Sequence, residues 1–200
     1  MYGLTVVTPP AAEPVSVAEA KAHLRLETAD EDALVTALVK AAREHAEDFM
    51  GRAFVTRVYD LTLDRFPWSS RAVSVGAGAI VVPRPRLQSV ESITYVDESG
   101  VTQALSASKY LVDSKSEPGR ITPAYGETWP TTREQANAVT VRFTAGYGAA
   151  AAVPDAIKTA IKLLVAHWYE HREQVNVGNI VNTMPFAVES LLWSDRMVTF

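Results

Sequence analysis

The chain has 200 residues, 48% of them hydrophobic, with 19 Lys and Arg against 23 Asp and Glu and a formal charge of −4. That length supports one large domain or two small ones, burying about 70% of the unfolded surface without covalent staples. The absence of cysteine excludes disulfides, thiolate nucleophiles and Cys-based zinc sites, and the mild acidity argues against a protein that wraps nucleic acid with a net basic surface.

Residues 1–13 are expected to form a short extended piece and a Pro-rich linker. They have no basic n-region, so no signal peptide is expected. Ser16 and Glu19 have capping-box spacing and start a short helix that turns Ala20, Leu24 and Val17 inward. Residues 28–32 are an acidic break with Asp30 as the expected N-cap of the next helix. That helix runs to about Met50. Its predicted stripe is Leu34, Leu38, Ala41, His45 and Phe49, with Val35, Ala42 and Ala46 beside it, and Gly51 is the expected left-handed C-terminal residue.

The period then changes. Val55, Tyr59, Leu61 and Leu63 alternate with polar residues, as in a half-buried strand. Residues 66–71 read as a loop, and 72–75 and 79–83 as strand pieces. The prolines at 83 and 85 keep that stretch extended. Residues 92–105 are a hairpin turning at Asp97–Gly100. Further strands are predicted at Tyr110–Val112 and over 138–147.

Val153–Glu173 is the most apolar long helix. Pro154 and Asp155 suit its start, and Ile157, Ile161, Leu164 and Trp168 align on one face, widened by Ala160, Leu163, Val165 and Ala166. A helix apolar over so much of its circumference is packed on more than one side, and Lys158 and Lys162 rule out a membrane span. The predicted class is α+β. A helical core (14–51 and 153–175) carries an inserted antiparallel β domain (52–150), with an N-terminal segment (1–13) and a C-terminal tail (176–200).

His167-Trp168-Tyr169-Glu170-His171 matches an inverted zinc-hydrolase pattern, with His167 and His171 as ligands and Glu170 as base. A third ligand is not evident, and the same residues suit an ordinary helix end. Neither a phosphate-binding loop nor a nucleophile elbow is present. Arg65, Arg71, Arg84 and Arg86, with Phe66 and Trp68 nearby, are candidates for contact with phosphates or an acidic partner. Trp68, Trp129 and Tyr125 offer a ligand-binding surface on the β region. In the tail, Pro185, Phe186, Leu191, Leu192, Trp193 and Phe200 form an apolar set that either folds back over the core or docks on another subunit.

Taken in order, PVSVAEAKAHLRL, the acidic break, DALVTALVKAAREHAEDFMGRAF, PRPRLQSVESITYVDESG and TAGYGAAAAVPDAIKTAIKLLVAHWYEHRE resemble the tailed-phage head–tail connector (adaptor) family, also found in phage-like gene transfer agents. The likeness spans about residues 14–193. It implies a structural virion protein of the neck without enzymatic activity or cofactor, made in the bacterial cytoplasm. Twelve copies would form a ring beneath the portal and continue the DNA channel toward the head-closure or tail-terminator protein. DNA contact, if any, would be independent of sequence. By the same analogy the tail is a portal-docking arm.

Overall fold

The computed structural model describes residues 2–68, 78–171 and 186–197. Arg71, Pro185 and Phe200, and the strand piece expected at 72–75, lie outside them. The fold is α+β, with four α-helices and antiparallel sheets among the described residues. It divides into two compact units, residues 1–10 with 56–146 and residues 11–55 with 147–200.

The first unit is β-rich. The extended piece expected at the start of residues 1–13 is a full strand, β1 (Tyr2–Thr8), because it finds a partner edge in β2 (Arg57–Leu63). β3 (Ile80–Val82), β4 (Leu87–Val96), β5 (Thr102–Ala104), β6 (Tyr110–Asp113), β7 (Gly119–Pro123) and β8 (Val139–Ala145) follow. One sheet has the order β1-β2-β8-β4-β5 and the other β3-β7-β6, all pairs antiparallel. Tyr59 and Leu61 face inward as their alternation predicts, beside Val139, Val141, Phe143 and Ile93, all buried. The Tyr59 and Phe143 rings stack at 5.4 Å. Gly119 is required by packing, since any side chain there would meet Leu87 Cβ at 2.6 Å. The expected hairpin turns at Asp97–Gly100, where the Asp97 carboxylate accepts from Val101 N at 2.9 Å.

The second unit is helical: α1 (Val17–Leu24), α2 (Asp32–Met50), α3 (Asp155–Glu170) and α4 (Phe186–Trp193). The capping box at α1 is complete, with Glu19 N donating to Ser16 Oγ (3.2 Å) and Ser16 N to Glu19 Oε2 (2.8 Å). α2 departs from expectation at its start. Glu31, not Asp30, is the N-cap and uses no side-chain cap; its carboxylate instead accepts the Tyr169 hydroxyl. Gly51 does end α2 in the left-handed region, at φ 66°. α3 starts one residue past Pro154 and packs against α1, α2 and α4, so it is covered on more than one side. Its buried residues are Ile157, Ala160, Ile161, Leu164 and Val165.

The inward stripe of α2 is rotated from the predicted one. Val35, Val39, Ala42, Arg43, Ala46, Glu47 and Met50 are buried, whereas Ala41 and His45 are exposed. Arg43 and Glu47 belong to this buried face because they are buried as a pair. Arg43 Nη1 donates to Glu47 Oε2 at 2.7 Å and Arg43 Nε to Glu13 Oε2 at 2.6 Å. Glu47 Oε1 also accepts from Phe54 N at 2.8 Å. Burial works against the Arg43 charge, but the Glu13 hydrogen bond and the Glu47 carboxylate outweigh it and raise the guanidinium pKa.

Candidate functional site

α4 is the helix among the described tail residues, and it belongs to the helical unit. Val188 and Leu192 are fully buried in the core formed with α2 and α3, and Leu191 packs against it half-buried. Of the six tail candidates, Leu192 therefore serves the fold of its own chain. Phe186, 80% exposed, and Trp193, 55% exposed, present their rings outward. Trp193 lies against Phe49 (6.5 Å between centroids), and the Arg196 guanidinium sits 4.5 Å from the Phe49 ring and 5.0 Å from that of Trp193. A cation layered on two aromatic rings fixes them while leaving one side accessible. The chain returns from this point to α2, where Met197 N donates to Met50 O at 2.9 Å. This anchored end carries two large outward rings.

The arginines occupy different loops with different neighbours. Arg65 is exposed after β2, on a groove of about 1100 Å³ that Phe66, Trp68, Trp129 and Arg133 also line. Arg84 is half-buried and takes a left-handed conformation at φ 59°. Arg86 is exposed and donates to Glu117 at 2.9 Å. The three described candidate arginines thus have different local settings.

The three aromatics expected as a ligand surface also separate by role. Trp129 stacks on Phe66 at 4.9 Å and donates from Nε1 to Gly78 O at 2.6 Å, which makes it a structural residue. Trp68 is 79% exposed over the groove, and Tyr125 is fully exposed after β7.

The histidine pair is a helix end. The His167 and His171 rings stack at 4.8 Å, and His171 Nδ1 lies 3.1 Å from His167 O. Glu170 is exposed. Among the described residues no group of three His, Cys, Asp or Glu side chains is placed to hold a metal ion. No helix of the described residues is long and apolar enough to cross a membrane.

Sequence inspection missed two features. β7 carries only Ile121 as a large buried aliphatic residue, too short a signal for alternation. The Arg43–Glu47 pair was signalled by its i,i+4 spacing within an apolar stripe.

Residues 13–188 match the model of the head completion protein family. No curated protein matches. Among solved structures, a chain described as the neck of an empty GTA particle computed with C6 symmetry is 29% identical, with a TM-score of 0.79 over 99% of this chain and 97% of that one. A chain from the virion of a native gene transfer agent particle is 27% identical (TM-score 0.77, 98% and 96% covered). One from the neck of a native GTA particle computed with C12 symmetry is 26% identical (TM-score 0.77, 99% and 97% covered).

Proposed function

The chain belongs to the head completion protein family, and on that premise we propose that twelve copies close into a ring beneath the portal. The ring continues the DNA channel toward the head-closure or tail-terminator protein. The chain is a structural component of the virion neck, at the head–tail interface, and not an enzyme. The ring reading rests on one observation, the likeness over nearly the whole of both chains to subunits of necks computed with sixfold and twelvefold symmetry.

Within that ring the exposed edge of α4 is the portal-docking surface. Phe186 and Trp193 are outward aromatic rings on a helix whose other side is fixed in the core, which matches the rigid anchors that dominate interfaces. The subunit's charge of −4 suits a channel through which DNA must slide, because each tight phosphate contact would retard it.

Co-purification with the portal tests this reading. The wild-type chain is expected to elute with the portal. The Phe186→Ala/Trp193→Ala variant is expected to keep its far-ultraviolet circular dichroism and lose binding by tenfold or more, about 1.4 kcal/mol. Undiminished binding by the variant would remove α4 from the interface, and no binding by the wild-type chain would remove the connector role beneath the portal.

A further inference from the structure

Strand β1 is a sheet edge without the usual protection. Exposed edges are normally blunted by charges, proline or bulges, since their unpaired N–H and C=O groups recruit other strands. Residues 2–8, Tyr-Gly-Leu-Thr-Val-Val-Thr, carry no charge and no proline. Their one irregularity falls between Val6 and Thr8, so Tyr2–Val6 keeps a regular edge. Tyr2, Leu4 and Val6 stand opposite Leu63, Leu61 and Tyr59, on the face that is buried farther into the sheet. Yet Tyr2 is 65% and Val6 51% exposed. The apolar face therefore runs out to an edge where its cover stops. Two other edges are better guarded. β4, beyond the reach of β5, carries Glu91 and two register shifts, and β6 ends in Asp113 with Lys109 just before it.

The opposite end of the same sheet is β5, whose Thr102, Gln103 and Ala104 are uncharged and all exposed. Among the described residues, one chain thus offers two unlike free edges. Cyclic rings need this, because head-to-tail interfaces join different surfaces of successive copies. A twelvefold axis, as computed for one similar neck, has no perpendicular twofold. β1 therefore cannot meet β1 within the ring. Strand direction follows from the sheet. With every neighbour antiparallel in the order β1-β2-β8-β4-β5, β1 and β5 point the same way. The step between neighbours in a twelvefold ring is about 30°, which barely changes strand direction.

We propose that β1 of one copy pairs in parallel with β5 of the next copy, joining the five-stranded sheets edge to edge around the ring. This rests on the ring reading above. β5 is only three residues long, so each junction holds few hydrogen bonds. A closed ring, in which every copy is held on both sides, is then favoured over open dimers.

The chain has no cysteine, so paired cysteines report the contact directly. Leu4→Cys or Val6→Cys is combined in turn with Thr102→Cys, Gln103→Cys or Ala104→Cys, and rings assembled on the portal are oxidised. The expected result is a denaturing-gel ladder extending beyond dimers, with the best partner of Val6 lying C-terminal to the best partner of Leu4. Val6→Lys, an exposed substitution that charges the edge, is expected to leave the subunit folded and abolish the ring fraction. Intact rings with no ladder, a reversed order of partners, Val6→Cys cross-linking to itself, or rings that tolerate Val6→Lys would each overturn the pairing. A wild-type chain that forms no ring at all on an intact portal would instead overturn the ring reading on which the pairing rests.

Discussion

Glu47 is the residue where most of the helical unit's polar bookkeeping meets. Its two carboxylate oxygens hold Arg43 and the Phe54 amide, and it is 3% exposed. Glu47→Ala leaves a buried guanidinium short of a partner and an amide without its acceptor. The expected loss is about 3–5 kcal/mol in urea unfolding. The Lys21–Asp32 pair is the control. Asp32 is 47% exposed, so Lys21→Ala is expected to cost less than about 1 kcal/mol. Asp113 gives a pH signature. The Ser116 hydroxyl, then Arg120 and the Ser116 amide, hold its carboxyl well below the usual carboxylate range. A depressed carboxylate contributes stability above its unfolded pKa, about 3.9, and that contribution disappears as pH falls through the lower folded value. Asp113→Asn is therefore expected to melt below the wild type at neutral pH, and the two melting curves are expected to converge in strong acid. A constant gap at all pH values would show that charge is not what Asp113 supplies.

At the scale of elements, α4 tests whether the tail belongs to the fold or only to the interface. Leu192 is fully buried and Phe186 is 80% exposed on the same helix. Leu192→Ala is expected to cost about 2–5 kcal/mol, and Phe186→Ala to stay within about 0.5 kcal/mol; chemical denaturation separates them. Equal, small effects would mean that α4 is not part of the core. Local rules read some elements well. The Ser16–Glu19 box, Gly51, the Asp97–Gly100 turn and α3 each carry their signal in a few adjacent residues. Other features depend on distant partners. β1 is a strand because β2 offers an edge about 55 residues away, and the α2 face rotates because Arg43 is neutralised by Glu13 across the unit. The roles of the α4 candidates depend on packing too. Hydrophobicity alone marked Leu192 and Phe186 as equals, and only packing tells the buried one from the outward one.

For the whole molecule, order of elements carried more than any motif. The α+β class follows from helices and strands segregated along the chain, whereas the described candidates Arg65, Arg84 and Arg86 sit on loops with different neighbours. Among the described residues, the histidine pattern has no third donor placed to hold a metal ion. A mildly acidic connector is expected to bind DNA weakly and without sequence preference. A filter-binding assay at physiological salt would contradict this by finding nanomolar, sequence-specific affinity. The most direct test of the connector account is electron microscopy of the chain mixed with its portal, with the chain alone as control. The account requires a ring of this chain stacked coaxially on the portal. Intact portals with the chain left monomeric beside them would contradict it.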